Sequence, residues 1–321
     1  MLSRVAENLY WISRYVERAE NVSRLLDVGF HLELDATGLN GATDEPGPIE
    51  SVLTILACRE AFERSHGTKE RDRDDVLRFL TFDRQNGHSI ISMLGRAREN
   101  ARGSQETLSG EAWSQVNKLY LYLGSSRARR RFAASPPRFY DTIKRACILF
   151  DGLVDATLPR TEVFHFLQLG RYLERVNQVS RILNVKLFGL REPGPVDERG
   201  LKLVHWSSLL RSCSAYEAYL REHHDRIDPE GVVRYLVLNS DFPRAMRFCV
   251  ARCCESLREI AGGDGEEYGT EAERQLGRLD SELRYMDVEE IIGEGLSLFL
   301  TDVQDSCDRI GEEIHQAYFV A

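Results

Sequence analysis

Apolar residues recur at three- and four-residue spacing along almost the whole chain, and strand-like alternation is nearly absent. The pattern predicts an all-α protein. In the first half the expected helices run near 3–35, 49–65, 72–82, 87–106, 110–124 and 138–156. The second half echoes them near 161–189, 198–224, 229–238, 242–261, 269–285 and 287–318. Breakers separate them at Gly38 to Pro48, Gly67 to Arg73, Pro136 and Pro137, Pro159, Pro193 to Pro195, and Gly262 to Gly269.

The echo extends to the residues themselves. RYVERAENVSRLLDV from Arg14 returns as RYLERVNQVSRILNV from Arg171, 157 positions later. VLRFLTFDRQNGHSIISMLGRARENAR from Val76 lies over VVRYLVLNSDFPRAMRFCVARCCESLR from Val232, an offset of 156. The expectation is an internally duplicated helical bundle, with two pseudo-twofold-related lobes of about six helices each. The lobes would be residues 1–158 and 159–321, divided at Pro159 and forming one intimate structural unit. The long first helix of each is expected to pack across the pseudo-twofold axis.

On a helical wheel the first repeat places Ile12, Tyr15, Val16, Ala19, Val22 and Leu26 on one arc, with Ser23 among them. Arg14, Glu17, Arg18, Asn21 and Arg24 occupy the opposite arc, and the second copy carries Arg171, Glu174, Arg175, Gln178 and Arg181 at the same places. Three readings follow. The stripe is a solvated face of i, i+3 and i+4 pairs, a set of ion pairs clamping one lobe to the other, or a ligand-facing lattice. The exchange-proof Arg and Glu favour the last two, because only the planar guanidinium fork grips carboxylate or phosphate in two places.

The second matched block differs between copies. Asp83, Asn86 and Ser89 lie over Asn239, Phe242 and Ala245, and Arg98 and Asn100 lie over Cys254 and Ser256. Arg96, Glu99 and Arg102 are retained as Arg252, Glu255 and Arg258. A polar set kept by one copy places any site in the first. The simpler alternative is local: Asn86 caps the following helix and Asp83 closes the turn before it.

A net charge of −9 argues against nonspecific attraction to nucleic acid or an anionic membrane. The short basic cluster Arg127, Arg129, Arg130 and Arg131 reads as a solvated helix end before a turn at Pro136 and Pro137, with an anionic partner as the alternative. Seven scattered cysteines without a CxxC pair fit a reduced, cytoplasmic interior. Cys249 and Cys253 stand one turn apart, but no histidine has matching spacing, so no metal site is expected. Nor is a secretion signal or a membrane-spanning segment. Phosphate loops, dinucleotide loops, zinc-protease helices and nucleophile elbows are missing from the sequence, and no cofactor is expected. His88, beside Asn86 and Ser89, is the one histidine placed for acid or base work; His223 and His224 read as surface residues.

The phrases MLSRVAENLYWISRYVERAENVSRLLDV, FLQLGRYLERVNQVSRILNV and LRFLTFDRQNGHSIISMLGRARENAR together resemble the bacterial alpha-E domain family, over essentially the whole chain. The family's two Glu-Arg pairs fall on Glu17 with Arg18 and Glu174 with Arg175, and its Asp, Asn, Ser and RENAR elements on Asp83, Asn86, Ser89 and Arg98 to Arg102. Gly87 stands where the family commonly has Pro. The resemblance implies a setting beside a circularly permuted ATP-grasp ligase, often with a transglutaminase-like protein, and so a role in peptide or amide-bond synthesis or modification. It brings no catalytic assignment. The expectation is an accessory protein that binds the ligase, its peptide or an anionic intermediate. The rivals are an enzyme with Glu17 or Asp83 as general base and Arg96 and Arg102 as an anion clamp, or a purely structural scaffold.

Overall fold

Helix formation follows the periodicity closely. The computed structural model describes residues 1–36, 47–67, 72–188, 198–224, 226–262 and 269–320. Among these residues there are fifteen α-helices and no strand. The chain divides into two compact units, one of Trp11–Pro159 and one of Met1–Tyr10 with Arg160–Ala321.

The unit 11–159 takes most of α1 (Ser3–Ala36), then α2 (Glu50–Ile55), α3 (Arg59–His66), α4 (Arg73–Phe82), α5 (Ile90–Gly103), α6 (Gly110–Gly124), α7 (Ser126–Ala134) and α8 (Pro136–Thr157). Within it α6 packs on α5 and α8, and α4 on α2 and α5. The other unit holds α9 (Glu162–Phe188), α10 (Glu198–Ser212), α11 (Tyr216–Glu222), α12 (Pro229–Leu238), α13 (Met246–Ala261), α14 (Glu271–Tyr285) and α15 (Val288–Tyr318). There α9 is the centre, packed on α13 and α15, with α14 closing against both.

Six helices per copy is too few. The expected helix 49–65 breaks at Ala57, which adopts φ 51°, and 198–224 breaks at Ser214, with φ 53°. A left-handed non-glycine residue costs about 1–2 kcal/mol, and burial of Cys58 and Ala215 just beyond each break sustains it. Apolar spacing continues through both breaks, so periodicity alone does not reveal them. The basic cluster is the separate helix α7, and Pro136 and Pro137 open α8 rather than form a turn. At a helix start the missing proline N–H costs nothing. The stretch at Gly38 to Pro48, and that at Pro193 to Pro195, fall largely outside the described residues.

The buried positions repeat between units. Val76, Phe79 and Leu80 in α4 match Val232, Tyr235 and Leu236 in α12, and Met93, Leu94 and Ala97 in α5 match Cys249, Val250 and Cys253 in α13. Ala112, Val116, Leu119 and Leu123 in α6 match Ala272, Leu276, Leu279 and Leu283 in α14, and Ile143, Cys147, Phe150 and Val154 in α8 match Val303, Cys307, Ile310 and Ile314 in α15, now at an offset of 160. Even the kinks correspond: Ser135, with ψ 93°, separates α7 from α8, and Gly295, with φ 110° and ψ 95°, interrupts α15 at the same register. Each fully buried Leu, Ile, Val or Phe contributes roughly 1.5–3 kcal/mol, so the shared pattern specifies shared packing.

Candidate functional site

The stripe is not a solvated face. Glu17 is 3% exposed and Glu174 1%, and Arg14, Asn21, Arg24, Arg175 and Gln178 are also buried. Arg18, Arg171 and Arg181 are half-buried. Buried carboxylates persist only with cations or donors in reach, and such groups stand along the same helices. In the first unit Glu20 pairs with Arg24, and the guanidinium groups of Arg14 and Arg18 lie 5.0 and 5.8 Å from the Trp11 ring. In the second, Gln178 donates to Glu174 at 2.7 Å and Arg181 to Asn177 at 2.6 Å. Arg171 and Arg175 there flank Tyr172 at 5.4 and 5.5 Å.

α8 adds groups to this lattice in the first unit that the wheel did not include. Lys144 donates to Asp27 of α1 at 2.5 Å, both groups being 17% exposed. One turn on, burial pushes the Cys147 thiol well up, Asp151 and Glu17 add to the shift, and Arg24 opposes it. Lys144, Cys147 and Asp151, at i, i+3 and i+7, thus form a column on α8 beside the stripe of α1. Charged groups of α1 and α8 here have neutral counterparts: Asn184 replaces Asp27, Gln304 replaces Lys144, and Asn177 replaces Glu20. Asn184 accepts from Ser297 at 2.8 Å, Asn177 donates to Asp308 at 3.4 Å, and the Gln304 side-chain nitrogen is buried without a hydrogen-bond partner. The signal for this column was the apolar spacing of α8, which hides polar members inside a core face.

The turn between α4 and α5 places the other candidates. Asp83 accepts from the Gln85 N–H at 2.8 Å and so closes the turn; Asn239 does the same for Asp241 and Phe242 at 2.8 and 2.7 Å. The helix cap is Ser89, not Asn86: its Oγ accepts from Ser92 N–H at 3.3 Å and donates to Asp83 O at 2.5 Å. Asn86, 6% exposed, instead staples the turn to α4, donating to Phe79 O at 3.1 Å and accepting from His88 N–H at 2.9 Å. Ala245 begins α13 with nearly the same backbone angles as Ser89 and no side-chain cap.

Arg96 lies 5.7 Å from the Tyr15 ring, and a Cβ on Gly87 would meet its Nη2 at 3.3 Å. Gly87 therefore leaves room for this guanidinium. Glu99 is held by Arg98 and Arg102, each at 2.7 Å, and Arg98 also donates to Asn117 at 2.7 Å. In the second unit Arg252 takes Glu255 itself, at 2.5 Å, and Pro243 O accepts from Arg175 at 3.2 Å. Asp83, Asn86, Ser89 and Gly87 with Arg96 are thus brought together, while Glu99 and Arg102 sit further along α5.

An aromatic triad under each turn escaped the sequence reading. Phe62 stacks on His66 with centroids 4.5 Å apart, and Phe79 meets both edge-on. Tyr219, His223 and Tyr235 repeat this, with the stack at 4.1 Å. The two added hydroxyls change the second copy. Gly231 stands where the first copy has Asp75, and a Cβ there would lie 2.6 Å from the Tyr219 hydroxyl. Burial first, then Glu222, pushes the Tyr235 phenol up to about 12. Tyr235 lines an open concavity of about 460 Å³ with Arg221, Glu222, Asn239, Asp241 and Phe242. This hollow lies on the second-copy turn.

All seven cysteines are buried, and none forms a disulfide among the described residues. Among the described residues no group of three or more His, Cys, Asp or Glu is placed to hold a metal ion, and no helix is long and apolar enough to cross a membrane.

Long helices with buried Glu-Arg stripes, wrapped by shorter capped helices, define an all-α protein organised around polar lattices. The chain belongs to the Alpha-E family, described as a predicted alpha-helical domain with a conserved ER motif, which matches residues 1–319. It is similar to uncharacterized proteins of Mycobacterium bovis and Mycobacterium tuberculosis, at 20% identity over 94% of this chain and 34% of theirs. The chain therefore spans about a third of the length of these relatives. No solved structure gives a significant match.

Proposed function

We propose that this chain is a cytoplasmic accessory protein in an ATP-grasp-linked system of peptide or amide-bond synthesis or modification, with a duplicated fold. Its task is to bind the circularly permuted ligase, the peptide, or an anionic intermediate, through the Arg, Glu and Asn groups of the first copy; a transglutaminase-like protein is a further partner. One observation carries the reading: an Alpha-E match fills this chain, whereas in the mycobacterial relatives the matching region is about a third of a longer protein. A domain that occurs joined to further sequence acts beside other domains. Duplication is supported by the matching cores, kinks and aromatic triads of the two units.

A scaffold is the second reading, favoured by the burial of Glu17 and Glu174. The enzyme reading has less support, since Asp83 is engaged in its turn and Arg102 pairs with Glu99. The test is co-purification from the native cell with tagged protein, beside a folded Arg96→Ala, Arg102→Ala variant. Recovery of the ligase with the wild type alone is the expected result. No ligase with either protein overturns the accessory role. Equal loss of stability in Glu17→Gln and Glu174→Gln, with ligase binding intact, assigns the stripe to scaffold.

A further inference from the structure

The two units carry opposite charge at one matched position. At the offset of 160 that aligns their last three helical segments, Arg127, Arg129 and Arg130 lie over Asp287, Glu289 and Glu290, and Ala134 lies over Glu294. α7 projects Arg127, Arg129, Arg130 and Arg131 into solvent, with Arg138 exposed on the first turn of α8. Among the described residues none of these five has a carboxylate within ion-pair distance, and the Arg129 guanidinium lies 5.2 Å from the Phe82 ring. In the second unit one member of the equivalent segment is paired within the unit, because Glu289 binds Arg234 at 3.0 Å. Arg78 stands at the register of Arg234, and Arg129 at that of Glu289, so the matched pair of positions holds opposite charges in one unit and two cations in the other.

The acidic counterpart has an excess of its own. Glu290 and Glu294 are exposed beyond the Arg234 pair. Glu282 at the end of α14 has its carboxyl pushed up by burial first and then by Asp302 and Glu294, which crowd it without a compensating cation. Exposed apolar groups lie along the same segments: Tyr285 at 85%, Leu298 at 63% and Ile292 at 45%. On the basic side Leu121 of α6 is 57% exposed. A charged rim with apolar groups inside it is the anatomy of a protein interface, and complementary potentials steer such faces together.

We infer that the arginine face of α7 docks on the acidic segment 287–294 of a second copy of this chain. In a chain of net charge −9, a concentrated patch of five exposed arginines is a surface that attracts an acidic second copy. The contact joins two different surfaces, so it either closes into a symmetric assembly or extends head to tail.

The test is sedimentation of the full chain over a concentration series at ~20 mM and ~500 mM salt, conditions that respectively lengthen and collapse the range of surface charges. The expected result is an average mass that climbs toward at least twice the monomer at low salt and returns to monomer at high salt. Arg127→Glu, Arg129→Glu, Arg130→Glu should hold one variant monomeric, and Glu289→Arg, Glu294→Arg the other; both leave the Asp287 and Glu290 cap in place. Mixing the two variants in equal amounts should restore association, since each then offers what the other lost. A wild type that stays monomeric at low salt overturns the inference, whatever the variants do. So does association that survives both sets of changes. Loss in the arginine variant without recovery on mixing also overturns it, and reassigns α7 to a different anionic partner.

Discussion

The two units share a pattern of buried apolar positions but line it with different polar groups. Where α1 meets α8 the polar groups are charged, with Asp27 bound to Lys144. At the same positions α9 and α15 carry the amides Asn184 and Gln304. The turns differ too: the first copy caps α5 with Ser89 and sets Phe62 and Phe79 edge-on, whereas the second leaves α13 uncapped and sets Tyr219 and Tyr235 edge-on. Local partners decide how well each set is tolerated: Asn184 finds Ser297, whereas the buried Gln304 side-chain nitrogen finds no hydrogen-bond partner among the described residues.

Alkali should show the largest effect, and it strikes both units. Burial pushes the Cys58 and Cys254 thiols from 9.0 to about 12. The folded chain then holds protons that the unfolded chain releases, so stability is complete below pH 9 and falls as the pH rises from 9 toward 12. Thermal melting across that range measures it; a flat profile would mean that these thiols reach water.

Next comes the ion pair. Lys144→Gln alone should cost about 2–3 kcal/mol, because it leaves Asp27 part-buried opposite an amide. Asp27→Asn with Lys144→Gln copies the second unit and should recover most of that. Denaturant midpoints for the four proteins of this cycle separate the coupling from the individual losses, and additive effects would show that the two sites are independent.

Gly231→Ala should cost about 2 kcal/mol through overpacking against the Tyr219 hydroxyl. In a Tyr219→Phe background, which restores the first copy's ring, the penalty should largely vanish. If it persists, the Asp228 carboxylate, 3.0 Å from the same Cβ position, is the obstacle.

The smallest effect is at the cap. Ser89→Ala should lose about 1 kcal/mol, and Asn86→Ala a similar amount through its bond to Phe79 O rather than through capping. Ala245→Ser should gain up to about 1 kcal/mol, if the matching backbone angles present its hydroxyl to the helix N–H groups as Ser89 does.

Much of this was legible in the chain. The Arg14 and Arg171 phrases revealed the doubled stripe, and the closing of the turn by Asp83 followed from residue type. Placing the cap on Asn86 failed because Asx and Ser compete for such roles within three residues, and backbone angles decide between them. The breaks at Ala57 and Ser214 were invisible because apolar spacing runs through them, and α7, read as a solvated helix end, is solvated but is a helix of its own, which an arginine run without an apolar period does not announce. The column Lys144, Cys147 and Asp151 was hidden among core positions.

By itself the sequence determined helical class, the doubling of the stripe and the approximate ends of most helices. These follow from local periodicity, capping chemistry and direct comparison of one half with the other. Only the tertiary structure decided that the stripe is buried, that Lys144 of α8 meets Asp27 of α1, and that Gly231 makes room for the Tyr219 hydroxyl. Such facts depend on which side chains from distant segments converge, and a helical wheel gives the direction of a residue without saying what waits there.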